Sequence, residues 1–415
     1  MSAISRDAIA RNVLVLVLLL LLTACAGVPY KYEPLQTFGI ESRAVTQQKG
    51  PFTIRASVPS DAEAEKLFGI QLSKRNIQAV WMEITNDSDT RARFAPYSVD
   101  PAYFPPHEVA YMYRKQFSKQ GWKDMENRFF SDSLPRYIGG GETVSGFVFT
   151  NATTGTKAFN VDVFSFEKTI VYEHFTFFVD VPGFKPDHAE VDFKNLYNAN
   201  EYKDLDAAAF REYVASLPCC TANSDRSGQG QPIMLLLVSS GQGLLRGLLR
   251  AGWKESSYQR DDSFLNATDY YFGRPPDAIF RKQRDKTTER NEMGLWLTPV
   301  SVGGEAVWAA QVKHAIGRRY EIGEMFFGIR QDPDVDDGRN YVLQDMWYSQ
   351  ALKQYAWSIS GTKVSKTEPA IDFNNNAWFS DGLRLVLWVS GEPVSLQETR
   401  ILDWEDLSDF KWGPE

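Results

Sequence analysis

Asp332-Pro333-Asp334-Val335-Asp336-Asp337-Gly338 places four carboxylates within six residues, a density of hard oxygen ligands that suits calcium. As an EF-hand loop it departs at two points: Asp337 stands where the turn requires glycine, and Leu343 where the bidentate glutamate belongs. The same acids would also make the first turn of a helix expected over Asp336–Tyr355, capping free N–H groups and opposing the positive end of the dipole. Asp332, Asp334, Asp336 and Asp337 are therefore candidates either for a calcium site or for a helix cap. Ser239-Ser240-Gly241 follows an apolar run and precedes a helical pattern, the turn at which α/β folds gather helix N–H groups around an anion or a nucleophile. An ordinary serine N-cap accounts for the same residues. No Gly-x-Ser-x-Gly elbow accompanies Ser239 and Ser240, and His107, His174, His188 and His314 show no zinc-binding spacing. No catalytic set is assigned.

Cys25 carries the strongest chemical signal. Arg6 and Arg11 precede the unbroken apolar run Val13–Leu22, which ends in Leu22-Thr23-Ala24-Cys25. Ten residues make a helix of roughly 15 Å, about half the hydrocarbon thickness of a bilayer, so the run reads as an export signal rather than a span. Thr23 and Ala24 suit a narrow peptidase cleft, and the Cys25 thiol is the nucleophile for a diacylglyceryl group, with palmitate among the acyl chains. Several chains anchor a protein stably where one does not. Ala26 and Gly27 follow without the acidic residue that retains such proteins in the inner membrane. The expectation is a lipid anchor on the periplasmic face of the outer membrane of a Gram-negative cell. Cys219 and Cys220 are adjacent, and either two thiols or a vicinal disulfide would satisfy them.

These residues must be held by about 390 residues of mature chain, enough for two or three domains. The 43% hydrophobic and 13% aromatic content can build a substantial core, and most rings fall at strand-like positions where burial is expected over sugar stacking. The net charge of −8 disfavours nucleic acid as a partner. The fold class expected is α+β. Residues 1–24 are the signal, 25–50 the lipidated end and tether, and 51–185 an antiparallel β-sandwich, immunoglobulin-like with a helical insertion over Glu108–Gln120. Alternation over Phe52–Val58, Ala79–Thr85, Val144–Thr150, Asn160–Phe166 and Val171–Val179 supplies the sandwich strands. Residues 186–231 hold a helix over Glu201–Leu217 and an interdomain linker over Thr221–Gln231. Residues 232–361 form a mixed α/β domain, and 362–415 a β-rich C-terminal extension containing Leu383–Val389.

The second half resembles the family named for the C-terminal domain of LssY. The resemblance rests on Pro232–Val238, Ala251-Gly252-Trp253, Phe272-Gly273-Arg274-Pro275-Pro276-Asp277, Val307-Trp308 and Asp332–Arg339. The family pattern has His-x-Ile before Asp-Pro-Asp and Glu before the Arg, where this chain has Ile329-Arg330-Gln331 and Gly338. Lys313-His314 stands where relatives carry an acid. The resemblance implies that any polar site of the family is altered here, and it brings no established activity. The expected function is an envelope lipoprotein acting as a binding or structural module, with membrane lipid and an envelope protein as partners. A periplasmic hydrolase of lipid or phosphate esters is the alternative. No cofactor is expected beyond calcium at the acidic cluster.

Overall fold

The computed structural model describes residues 28–165, 171–256, 269–283, 289–319, 328–408 and 410. The signal segment and Cys25 lie outside these residues, as does Phe166. The described residues are mixed α and β, mostly strands in open sheets with seven α-helices. The chain divides into two compact units, Met1–Thr153 with Phe159–Gly183, and Thr154–Ala158 with Phe184–Glu415. The division falls at Gly183, not in the polar stretch Thr221–Gln231.

The first unit is built on β1 (Val45–Lys49), β2 (Phe52–Ser57), β3 (Ile77–Asn86), β4 (Ala92–Ala95), β5 (Tyr137–Ile138), β6 (Glu142–Asn151), β7 (Thr156–Ser165) and β8 (Val171–Asp180). They form two four-stranded sheets, ordered β1-β2-β3-β6 and β5-β4-β7-β8. The two-residue period of a strand explains the layers. Val80, Met82 and Ile84 of β3 join one buried cluster with Phe94, Val161, Val163, Phe175 and Phe177 of the other sheet. Ala79 and Trp81, on the opposite face of β3, join a second cluster with α1 (Asp61–Phe68), α3 (Pro106–Tyr113) and α4 (Lys119–Ser131), while the short α2 (Pro96–Val99) follows β4. Trp81 and Phe177 are fully buried as expected, whereas Phe164 and Trp388 are only half-buried.

Two expectations change here. The helix expected over Glu108–Gln120 is two helices, because Ser118 has extended backbone and its side chain accepts the Gly121 N–H, so Gly121 lies in the first turn of α4 instead of ending α3. Residues 29–50 are not a bare tether. Val45–Lys49 pairs with β2 in antiparallel register, Ile40 is fully buried, and the Tyr30 hydroxyl donates to the Phe68 carbonyl at 2.9 Å. Their contacts come from 3-10 turns and single side chains, which leave no periodicity to read.

The second unit holds β9 (Lys203–Leu205), β10 (Cys220–Ala222), β11 (Gln229–Pro232), β12 (Leu235–Val238), β13 (Lys254–Glu255), β14 (Ala278–Gln283), β15 (Arg290–Val302), β16 (Glu305–Arg319), β17 (Gly328–Gln331), β18 (Leu352–Ser358), β19 (Ala370–Ile371), β20 (Ala377–Trp378), β21 (Arg384–Val389) and β22 (Arg400–Leu402). Its main sheet runs β13-β14-β15-β16-β12-β21-β18-β22, with β17 on β16 and β9 on β15. β12 is apolar throughout because it is central, antiparallel to β16 on one side and parallel to β21 on the other. Leu235 and Leu237 face a core shared with α6 (Gly241–Arg250) and α7 (Val335–Tyr348). Leu236 and Val238 face Phe210 and Val214 of α5 (Ala207–Ser216) on the other side.

Residues 362–415 are therefore not an appendage. Leu235↔Leu385 to Val238↔Trp388 is a parallel ladder inside the sheet. The helix expected over Glu201–Leu217 begins only at Ala207, where Asp206 caps it, and Lys203–Leu205 pairs with β15. The helix expected over Asp336–Tyr355 stops at Tyr348, after which Gln350 adopts a left-handed φ of 59° and the chain enters β18. The polar stretch Thr221–Gln231 spans the hairpin β10–β11 and feeds a buried network. Thr221 donates to Asp269 at 2.7 Å, the Gln311 amide donates to Thr221 and to the Gln231 carbonyl, and Gln231 donates to Gln331 at 2.7 Å and Asp372 at 3.2 Å. The polar residues at its two ends, Thr221 and Gln231, serve interior pairing, while Ser224–Ser227 form an exposed turn between them. Cys219 and Cys220 are joined as a disulfide. Nearby, the buried Arg384 guanidinium donates to the carbonyls of Val214, Leu217, Pro218 and Ile233, closing the C-terminal end of α5.

Candidate functional site

The acidic cluster divides its labour. Asp334 caps α7, its side chain accepting the Asp336 N–H at 3.2 Å, and Asp332 accepts the Asp334 N–H at 3.0 Å. Asp336 and Arg339, three residues apart, share one helix face and turn inward. Asp336 accepts from Arg339 at 3.1 Å, from the Ser380 hydroxyl at 2.8 Å and from the Asp381 N–H at 2.6 Å. Arg339, fully buried, also donates to both Asp381 oxygens at 2.8 and 2.9 Å and to the Leu383 carbonyl at 2.8 Å. Burial pushes the Asp336 carboxyl up to about 6 even with Arg339 opposing it, and burial with the neighbouring Asp337 raises Asp334. Among the described residues no group of three or more His, Cys, Asp or Glu is arranged to hold a metal ion. The oxygens a cation would need are largely occupied by donors.

Asp337 is the member that looks outward. With Lys282, Arg290, Asn291, His314, Gly338 and Tyr341 it lines a polar pocket of about 350 Å³. His314 Nδ1 is 2.7 Å from the Asn291 side-chain oxygen, and Lys282 pairs with Asp345 and the Ala251 carbonyl. Four of the positions at which the chain departs from the LssY pattern fall in two places. His314 and Gly338 line this pocket, while Lys313, paired with buried Asp269, and Gln331 sit in the polar network of β10 and β11.

A second concavity of this unit is an apolar cavity of about 630 Å³. Its floor is the face of three adjacent strands: Ala278 and Phe280 of β14, Leu295 and Leu297 of β15, Ala306 and Trp308 of β16. Alternation places each pair on one side of the sheet, and the register Ala278↔Leu295 and Leu297↔Trp308 sets them side by side. Leu244 and Leu245 of α6 form one wall, and His188 and Phe193 another. Gly247 lets α6 lie close on β21, since a Cβ there would come within 2.5 Å of the Val389 side chain.

Ser240, Gly241 and Gln242 bring the start of α6 to this cavity. Ser240 Oγ accepts the Gly243 N–H at 3.1 Å, so it is an N-cap, and Ser239 is buried with its carbonyl accepting the Trp308 indole N–H at 3.2 Å. Among the described residues no histidine hydrogen-bonds either hydroxyl. His188 stacks on Phe280 at 6.3 Å, with Nε2 3.4 Å from Glu255 and Nδ1 3.6 Å from Asp187. The His188 Nδ1 is buried without a hydrogen-bond partner, and the ring makes no hydrogen bond to Ser240 among the described residues. His107 is exposed beside Glu126, and His174 Nδ1 lies 2.6 Å from Asp162, an edge position.

No local pattern marks Asp381 or the cavity floor, and His188 stands in the sequence only as a histidine without zinc-binding spacing. Asp381 lies 42 residues from its partner Arg339, and no local pattern links them. The floor residues were legible only as strand alternation.

Residues 211–383 match the family model described as LssY C-terminus, and this part of the chain is similar to that domain. The matched stretch starts in α5, extends beyond residues 232–361 at both ends, and takes in Asp336, Arg339 and Asp381. No curated protein matches the chain.

Proposed function

We propose that this chain is an envelope lipoprotein, anchored through acylated Cys25 on the periplasmic face of the outer membrane, whose second unit is a binding module for an apolar ligand. The observation that carries the binding role is the apolar cavity of about 630 Å³, a preformed concavity within the roughly 300–1,000 Å³ common for ligand sites. The anchor is supported by Arg6, Arg11, the Val13–Leu22 run and the motif ending at Cys25. Among the described residues no helix is long and apolar enough to cross a membrane. We read the first unit as an immunoglobulin-like sandwich with a helical insertion, supported by its two four-stranded sheets around one core and by α2 to α4 between β4 and β5.

A hydrolase is the second reading, favoured by Ser240 and His188 lining the same cavity. No hydrogen bond joins the His188 ring to Ser240 among the described residues, and Ser240 Oγ serves as the acceptor that caps α6, which weighs for binding without turnover.

Titrating the full chain with 1-anilinonaphthalene-8-sulfonate tests the binding role. Saturable fluorescence enhancement, lost in Ala306→Phe, is expected, and absence of saturable binding in the folded wild-type chain would end this reading. Turnover of a long-chain nitrophenyl ester that Ser240→Ala abolishes would favour the hydrolase. Incorporation of labelled palmitate, lost in Cys25→Ala, tests the anchor.

A further inference from the structure

Resting on the reading of the apolar cavity as a binding site, we infer that its ligand is an amphiphile with one long hydrocarbon chain, the chain lying on the β14–β16 floor and the polar head at the Ser240–Gln242 rim. The cavity lining contains no Asp, Glu, Lys or Arg. Its polar members are Ser240, Gln242 and His188, and of these Ser240 and Gln242 are exposed while His188 is half-buried; the floor residues Phe280, Leu295, Leu297 and Trp308 are buried. Trp308 spends its single polar atom on the Ser239 carbonyl, so it shows the cavity only ring carbons.

Apart from His188, whose ring stacks on Phe280 with Nδ1 buried and lacking a hydrogen-bond partner, polarity runs from an apolar floor to the Ser240–Gln242 rim. A sugar, nucleotide or peptide carries hydrogen-bonding groups along its whole length, and each one buried on this floor without a partner would pay its desolvation unreturned. A hydrocarbon chain has none to lose and gains with each methylene buried. The floor alternates small Ala278 and Ala306 with large Phe280 and Trp308. A flexible chain can follow such relief where a rigid fused ring cannot, and one polar end satisfies the rim.

The test is displacement of bound 1-anilinonaphthalene-8-sulfonate from the full chain by palmitate and by palmitoyl-lysophosphatidylcholine, both below their micelle concentrations, with octanoate and pyrene as comparison ligands. Palmitate and the lysolipid should compete, octanoate at least 10-fold more weakly, and pyrene poorly. Ala306→Phe, which fills the cavity, and Leu245→Lys, which charges a half-buried wall position, should each weaken palmitate at least 10-fold. Leu245→Lys serves if Ala306→Phe fails to fold. If the dye binds and responds to these variants but neither palmitate nor the lysolipid displaces it, the chain assignment is overturned while the binding role stands. Palmitate binding that both variants leave unchanged overturns it as well, because the chain then lies elsewhere. If the dye itself does not bind, both readings fall together.

Discussion

The helices α6 and α7 pack on the same sheet face of the second unit, yet their N-terminal ends are built in opposite ways. α7 starts among acids: Asp334 caps it, Asp336 and Asp337 fill its first turn, and Asp336 is buried against Arg339 and Asp381. α6 starts at Ser240-Gly241-Gln242 with no acid in its first turn and opens on the apolar cavity. The start of α7 is compensated from within by buried charge, and the uncharged start of α6 borders open space, which is where the proposed ligand would lie. The contrast also explains why four carboxylates in sequence were the more conspicuous chemical signal and the less available one.

The sharpest way to break this comparison is Arg339→Met. It leaves Asp336 and Asp381 facing each other without their shared cation, and it should cost about 3–5 kcal/mol of stability, read by urea denaturation. A loss below about 1 kcal/mol would mean that the network is not a structural centre. Next comes pH. Asp336 is held up to about 6, so between about pH 4 and 6 the folded chain keeps a proton that the unfolded chain releases. Its contribution is fully present below the unfolded value and is lost as pH rises through 6. The stability difference between wild type and Asp336→Asn should therefore change across that window and be flat above pH 7; a flat difference throughout would show that the carboxyl is not raised.

Smaller effects separate the two starts more finely. Ser240→Ala and Asp334→Ala each remove a cap and should each cost about 1 kcal/mol. Only Ser240→Ala borders the cavity, so dye binding should respond to it and not to Asp334→Ala. The smallest effect expected is that of calcium. Millimolar calcium should release no binding heat in calorimetry, since the Asp336 oxygens accept from Arg339, Ser380 and Asp381.

Much of the second unit was legible in advance. The apolar run at Leu235–Val238, the Ser240 cap, the strand over Ala278–Gln283 and the Glu292–Leu297 part of β15 follow from local period and cap chemistry. The reading failed where a local feature had a distant cause. Thr221–Gln231 is polar like a linker and is exposed at its turn, but Thr221 and Gln231 at its ends answer Asp269, Gln311 and Asp372. Tyr348 to Tyr355 continues a helical pattern, but β21 offers a strand partner to Leu352–Ser358. Residues 29–50 show no period, yet Val45–Lys49 closes the edge of a sheet.

The sequence by itself carried the charged and apolar pattern ending at Cys25 on which the proposed anchor rests, the candidate caps among Asp332–Asp337 and at Ser239-Ser240, and the apolar strands, because each depends on residues within a few positions of one another. The tertiary structure alone decided that Arg339 meets Asp381, that Leu385 lies beside Leu235, and that Phe280, Leu297 and Trp308 surround one cavity. Those pairings join residues from about 10 to 150 positions apart, and no local periodicity records them; only the packing of the sheet brings them together.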